Sequence, residues 1–507
     1  MSVRFHIPAV LRRYSRDEAE LELSGVTVGA ALAHLFERHP GLEPRVLNER
    51  GELYPYLLLF RNGAELSRTG LKEVELAAGD VLELLGAAEG GAPEGAPQDV
   101  RMRGFRTRAT VEEARAAALR ELPDLGAERA PLERAAGRVL AEPAVSAVDV
   151  PPFRRSAMDG YAVVAADTFG ASLYDPVRLR VVGEVLPGDA SPPPIAPGEA
   201  CRIMTGARVP EGADAVLMAE DASVEDGAVL VRAPIPAAKN VGRVGEDVER
   251  ESTVLRAGRR LRPQDVGLLA SIGFGDAPVR RRPRVRILVT GDELLPPGEA
   301  PREGAIVDSN TPMLRGLVER DGGVVADAQR LADDREAIRA AMQTSDVDVL
   351  LAAGGTSVGA EDHLPTLVAE LGSLDVHGIA MRPSSPTGLG RIGAVRVVLL
   401  PGNPVSCLCA YDFFGGPLVR ALGGRDRDWP YERDTLPLAR RIASRVGRLD
   451  YVRVRVNDGR VEPLAVSGAS ILSSTTRADG FVLIPADSEG HAEGERVEVH
   501  LYDRVRR

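Results

Sequence analysis

The chain has 507 residues, 44% of them hydrophobic and 27% charged, with a formal net charge of −11. That length calls for roughly two to four domains, and no apolar run approaches the ~18 residues of a membrane helix. The acidic balance gives no overall basic field, which excludes nucleic acid as the main partner, and Cys201, Cys407 and Cys409 form neither a zinc spacing nor a disulfide framework.

The opening Met1-Ser2-Val3-Arg4-Phe5-His6-Ile7-Pro8 goes straight into a strand-like alternation. It lacks the long apolar region of a signal peptide, so a cytoplasmic location is expected. Val3–Ile7 and Glu20–Leu23 read as paired strands, Val28–Leu35 has helical apolar spacing, and Pro40-Gly41 stops that helix. Tyr56–Phe60, the turn Arg61-Asn62-Gly63, and Val81–Leu85 after Gly79-Asp80 add two strands. Two strands, a helix and two more strands predict a β-grasp (ubiquitin-like) domain over residues 1–91. The Gly-, Ala- and Pro-rich stretch Gly86–Gln98 reads as a flexible linker, drawn at residues 92–104.

Thr110–Leu122 has the pattern of a helix, with Thr110 as N-cap and Glu113 three residues on. Residues 151–239 are Pro- and Gly-rich with short alternating strands and predict a β-rich lobe. Residues 283–426 alternate apolar strands (Val285–Val289, Val347–Leu351, Val395–Leu400) with helical stretches. That is the pattern of a parallel sheet with helices on both faces, a three-layer α/β domain. Residues 435–507 return to short strands, including Phe481–Pro485 and Arg496–Leu501, and predict a closing β-barrel.

The chemistry concentrates where strands end. Gly354-Gly355-Thr356-Ser357-Val358-Gly359 follows an apolar strand. Its glycines let backbone amides converge on an anion while Thr356 and Ser357 add hydroxyls, although a plain strand-to-helix turn has the same composition. Pro401-Gly402-Asn403-Pro404 ends another strand, and Val405-Ser406 opens the next helix. Two such loops on neighbouring strands would face each other at the carboxyl edge of the sheet, with a phosphate or oxyanion as guest. Asp292 and Glu293 leave their strand at that edge, and Asp308 precedes a helix. Adjacent carboxylates beside a phosphate suit Mg²⁺, although Asp308 would also serve as an N-cap and Glu293 as a solvated side chain. Asp159, in Ser156-Ala157-Met158-Asp159-Gly160, has tight-turn company in which Asp can simply make an Asx-turn, and Met204-Thr205-Gly206-Ala207 is a second polar turn.

Together these segments resemble the molybdopterin molybdenumtransferase family, whose animal relatives are the gephyrins, over about residues 101–507. The motifs that carry the resemblance are Ala157–Ala162, Met204-Thr205-Gly206, Thr290–Leu294, Gly354–Gly359, Pro401–Ser406 and Leu472-Ser473-Ser474. Residues 1–91 resemble, more weakly, the small sulfur-carrier subunit of molybdopterin synthase, on the strand order, Asn62-Gly63, Gly79-Asp80 and Gly90-Gly91. The resemblance implies an elongated homodimer of four-domain subunits, in which residues 105–150 and 240–282 form an elongated mixed domain and the active cleft lies between the α/β domain of one subunit and the β-rich lobe of the other. It implies that adenylylated molybdopterin and molybdate yield molybdenum cofactor and AMP with Mg²⁺. Asp292, Glu293 and Asp308 would hold the metal or polarise the phosphoanhydride, and Asp159 and Thr205 would reach in from the partner subunit. Gly354, Gly355, Thr356, Ser357, Gly359, Gly402, Asn403 and Pro404 would cradle the pterin phosphate, with Ser357, Arg382, Ser385, Arg391 and Ser406 facing molybdate. A molybdopterin adenylyltransferase and a non-catalytic scaffold are the alternative readings.

Two departures stand out. Arg382-Pro383-Ser384-Ser385-Pro386 occupies the place where the family often has Lys-Pro-Gly-Lys-Pro or Arg-Pro-Gly-Lys-Pro, so a hydroxyl replaces a cation. Gly91 is followed by Ala92, whereas a sulfur carrier ends in a free Gly-Gly carboxylate. Either the chain is cut after Gly91, or the first domain docks molybdopterin synthase or adenylyltransferase partners.

Overall fold

The computed structural model describes residues 2–8, 11, 14–15, 18–47, 53–54, 57–67, 70–86, 108–356, 362–465 and 468–503. The expected linker at 92–104, the Gly90-Gly91 pair, and Ser357 and Gly359 of the glycine loop lie outside the described residues. The chain divides into two compact units, Met1–Leu125 with Arg282–Arg507, and Gly126–Arg281. No helix among the described residues is long and apolar enough to cross a membrane.

In the first unit, the N-terminal sheet has the order Glu20–Ser24, Ser2–His6, Val81–Gly86, Leu57–Arg61, Ala64–Glu65. Ser2–His6 runs antiparallel to Glu20–Ser24 and parallel to Val81–Gly86, so the first and last long strands lie side by side. The helix Val28–Arg38 is capped by Thr27, whose Oγ1 accepts the Ala30 N–H at 3.2 Å. Its buried face (Val28, Ala31, Leu32, Leu35) packs in one core with Phe5, Leu23, Leu59 and Leu82. The extra strand Ala64–Glu65 arises because Asn62 (φ 49) and Gly63 (φ 79) both turn in the left-handed region and fold the chain back on Leu57–Arg61.

The helix expected over Thr110–Leu122 is shorter, Val111–Ala118. Its start is as read: Thr110 Oγ1 accepts the Glu113 N–H at 3.1 Å and Glu113 Oε2 accepts the Thr110 N–H at 2.8 Å. It stops early because Glu121 is left-handed (φ 49) and Pro123 disfavours helix at the residue before it. Val111, Ala114 and Ala118 bury against the core of the α/β domain.

The α/β sheet runs Val324–Leu331, Arg284–Thr290, Val349–Ala353, Val395–Leu400, Gly388–Ile392, Ser373–His377. Its first four strands are parallel. The last two are antiparallel to their neighbours, so the sheet is mixed rather than parallel throughout. Helices cover both faces, and the strand alternation shows it. Ile287, Leu351 and Val398 join one core with Leu314 and Leu418, while Leu288, Leu350 and Val397 join another with Ile338 and Leu367. Strands apolar on both faces are what a sheet between two helical layers requires.

The C-terminal sheet has the order Met381–Arg382, Leu449–Asn457, Gly480–Ile484, Arg496–Leu501, Glu432–Pro437, with Arg460–Ala465 also on Leu449–Asn457, and only Met381–Arg382 comes from the α/β region. A bridge between Leu438 and Val461, with the Ala439 N–H 2.7 Å from the Val461 carbonyl, brings its two ends together around a core that includes Val452, Val482 and Val499. Tyr451 and Phe481, on the other face, stack at 4.3 Å between ring centres and join the α/β core.

The second unit holds a six-stranded sheet in the order Ala215–Met218, Gly160–Val163, Glu199–Ile203, Val177–Val185, Ala228–Val231, Ala222–Glu225. It also has a separate core in which Leu140, Ala144, Leu255, Leu269 and Val279 pack around the helix Pro263–Ser271.

Candidate active site

Three parallel strands end level with one another, since Val289 pairs with Ala353 and Ala353 with Leu400. The loops that follow them meet. Glu293, Asp308, Gly354, Gly355, Thr356, Gly402, Asn403 and Pro404 all line one cleft of about 870 Å³. Gly354 (φ 102) has no room for a side chain, because a β-carbon there would lie 2.3 Å from the Thr290 carbonyl oxygen. One on Gly402 would come within 3.5 Å of the Gly354 α-carbon, so the two glycine loops touch back to back. Bare backbone at two adjoining strand ends is an anion cradle of the kind that phosphates occupy.

The acidic side of the cleft has a graded structure. Asp308 is 4% exposed and its Oδ1 accepts the Thr311 N–H at 3.0 Å. It therefore ties down the first turn of the helix Asn310–Arg320 while also lining the cleft. Glu293 is exposed at the rim. Asp292 does not line the cleft; its Oδ1 accepts the Asp333 N–H at 3.0 Å.

Sequence reasoning passed over several lining residues, among them Asp333, Asn310, Asp362 and Ser470. Burial, then the charges of Asp292 and Glu293, push the Asp333 carboxyl above the usual carboxylate range. Asn310 donates Nδ2 to the Gly402 carbonyl at 2.7 Å and so ties the capped helix to the second glycine loop, while its Oδ1 is buried with no partner. Ser470 arrives from the C-terminal domain on a segment held by the Val405 N–H to the Ala469 carbonyl, 2.9 Å. Among the described residues no three His, Cys, Asp or Glu side chains converge to hold a metal ion.

The residues expected around an oxyanion scatter. Arg382 is engaged in an ion pair with the fully buried Asp450, which also accepts the Ser444 hydroxyl at 2.7 Å. Arg391 pairs across the sheet with Arg396, at the start of Val395–Leu400, and so stands at the edge opposite the cleft. The antiparallel direction of Gly388–Ile392 put it there. Ser406 is buried, with its carbonyl accepting the Ser384 hydroxyl at 2.6 Å, and it does not line the cleft. Ser385 lies beside it in the chain: its Oγ is buried without a partner, and the next residue, Pro386, lines the cleft.

In the second unit, Asp159 and Thr205 form one constellation. Asp159 Oδ1 accepts both the Thr205 N–H (2.6 Å) and the Thr205 hydroxyl (2.7 Å). Those two bonds, the backbone one first, and the charge of Arg202 hold this exposed carboxyl below its ordinary range. Gly160 must be glycine, since a β-carbon there would lie 1.8 Å from the Leu217 carbonyl oxygen.

A doubly covered α/β sheet with glycine loops and carboxylates at its carboxyl edge is the architecture in which open α/β proteins hold ligands, at a strand-end crevice. Comparison with known proteins is more specific. Three family models match in succession: the MoeA N-terminal region (domains I and II) over residues 109–273, the probable molybdopterin binding domain over 286–421, and the MoeA C-terminal region (domain IV) over 435–502. A putative molybdopterin biosynthesis protein of Methanocaldococcus jannaschii is 38% identical over 72% of this chain and 90% of its own length. The molybdopterin molybdenumtransferase of Haemophilus influenzae is 31% identical over 78% of this chain and 99% of its own. The crystal structure of the molybdopterin biosynthesis MoeA protein from Pyrococcus horikoshii OT3 superposes with a TM-score of 0.65 at 33% identity, covering 78% of this chain and all of that one. The chain belongs to the molybdopterin molybdenumtransferase family.

Proposed function

We propose that this enzyme of molybdenum cofactor biosynthesis inserts molybdate into adenylylated molybdopterin, with water cleaving the phosphoanhydride to give AMP and the pterin phosphate. The observation that carries the reading is the joining of two glycine loops and the carboxylates Glu293, Asp308 and Asp333 in one cleft. The loop amides would hold the pterin phosphate by hydrogen bonds that need no side chain. Mg²⁺ fits the residues present: it takes one or two carboxylates plus substrate phosphate oxygens rather than a protein cage. Glu293 and Asp308 would supply the carboxylates. Such an ion would neutralise charge on the leaving phosphate. Asp333, whose carboxyl burial pushes above its usual range, would serve as a proton carrier within the same cleft.

The ionised Asp159 with Thr205 would complete the site from a second copy of the chain, as a homodimer. Co-expressed Asp159→Ala and Glu293→Gln chains test this, because mixed dimers should regain part of the activity that neither variant has alone. The direct assay supplies adenylylated molybdopterin, Mg²⁺ and molybdate, and follows AMP together with cofactor that reconstitutes an apo molybdoenzyme. AMP and active cofactor, both lost in Glu293→Gln, are expected; binding of the adenylylated substrate with no AMP release would mean a scaffold. For residues 1–91 we propose a β-grasp domain related to sulfur carriers, supported by its strand order. A native species whose mass ends at Gly91 would mean a carrier, and full-length chains alone a docking module.

A further inference from the structure

Among the described residues, the N-terminal domain meets the C-terminal domain at a polar contact between Arg45, Tyr14 and Glu489. Arg45, on the short helix Glu43–Val46, lays its guanidinium 3.8 Å from the centre of the Tyr14 ring and donates Nη1 to the Gly41 carbonyl at 2.9 Å. Its Nη2 lies 3.3 Å from Glu489 Oε1. The Tyr14 hydroxyl donates to that same oxygen, also at 3.3 Å. Ring and carbonyl thus orient the guanidinium fork before it reaches the carboxylate, so little side-chain freedom is lost on contact.

An exposed pair of this kind is weak between separate molecules. Here the partners belong to one chain, and covalent connection presents one site to the other at roughly millimolar effective concentration. We propose that the N-terminal domain docks reversibly on the C-terminal domain of its own chain, with Arg45 and Tyr14 reading Glu489. The docking point adjoins the cleft loop. The Glu489 carbonyl accepts the Ser444 N–H at 2.9 Å, and the Ser444 hydroxyl donates at 2.7 Å to Asp450, the ion partner of Arg382. Arg382 begins the loop that carries Ser385 and Pro386.

The sequence makes a selective test possible, because it contains only two lysines, Lys72 and Lys239. In full-length Arg45→Lys, carbodiimide should join residue 45 to Glu489 within one chain. The product should be absent in Arg45→Lys/Glu489→Gln and fall about fivefold in ~0.5 M salt, where screening shortens the reach of exposed charges to a few ångströms. Small-angle scattering gives a second reading on the unlabelled chain. Arg45→Glu should enlarge the radius of gyration and Arg45→Glu/Glu489→Arg should restore it. Coupling of residue 45 to scattered carboxylates, a cross-link found only between two chains, or a radius indifferent to both charge reversals would each overturn the proposal.

Discussion

Gly354 lies so close to Thr290 that a β-carbon on the glycine would sit 2.3 Å from the threonine carbonyl oxygen. The same glycine has φ 102, so a side chain meets both a steric and a conformational barrier there. We predict that Gly354→Ala destabilises the protein by about 2 kcal/mol or more and abolishes binding of adenylylated molybdopterin. Gly393→Ala is the control: φ is 57 but nothing lies within 4 Å of its β-carbon, so only the backbone term of about 1 kcal/mol applies. Thermal melts of the two variants should separate clearly, and only Gly354→Ala should lose the ligand.

Asp333 should leave its mark on the pH dependence of stability. Burial and the neighbouring Asp292 and Glu293 raise its pKa in the folded protein. Between the unfolded and folded values the native state binds the extra proton, so stability falls as pH rises. The favourable contribution is complete below the ordinary aspartate range of about 4 and is lost as pH passes the raised value. Asp333→Asn removes that loss. It should melt higher than the parent at neutral pH, match it in acid, and release no AMP. A variant that melts lower at neutral pH would show that the carboxylate stabilises the fold instead.

How much of this site could be read beforehand depended on burial. Glu293, Gly354 and Gly402 follow strands that are apolar on both faces, and such strands announce their own ends. Asp333 follows Val324–Leu331, an edge strand half-exposed along nearly its whole length, whose Val-Val-Ala-Asp-Ala-Gln-Arg-Leu carries no such signal. Arg391 was misplaced for a different reason: strand direction is invisible in a sequence, and an antiparallel return carried it to the far edge. The helix at Val111–Ala118 was legible at its capped start and not at its end, where the left-handed Glu121 decides. Ser470 and Asn310 enter the cleft through tertiary contacts alone, to Val405 and Gly402, which no local pattern encodes.

The joint between the α/β domain and the C-terminal domain should be sensitive to a single cation. Arg320 donates Nη2 to Asp412 at 2.9 Å and Nη1 to the Tyr431 hydroxyl at 2.7 Å, and that hydroxyl donates to the other Asp412 oxygen at 2.8 Å. Asp412 is fully buried, and burial raises its pKa despite these partners. Arg320→Met leaves that carboxylate without its counter-ion and should destabilise the protein by about 3–5 kcal/mol in urea unfolding. Arg320→Met/Asp412→Asn should recover much of the loss, because the Asp412 charge is gone while the buried Asp321, the other partner of Arg320, keeps its ion pair with Arg420. Equal losses in the single and double variants would mean that packing, not charge, governs this joint.

The loop Arg382–Pro386 bears on anion affinity. Its one arginine is already taken by Asp450, so no free cation of this loop faces the cleft. Ser384 sits at φ 83 with its hydroxyl on the Ser406 carbonyl, and Ser385 Oγ is buried without a partner one residue before the cleft-lining Pro386. A charge-assisted hydrogen bond is roughly twice as strong as a neutral one. We therefore predict that Ser385→Lys lowers the molybdate concentration needed for half-maximal insertion, by about tenfold if the ammonium gains one such bond, which corresponds to ~1.4 kcal/mol. Ser385→Met, equally long and uncharged, should not lower it, and added salt should erode the gain made by lysine. An unchanged or higher molybdate requirement in Ser385→Lys would place the oxyanion away from this loop, and the buried hydroxyl would then need another explanation.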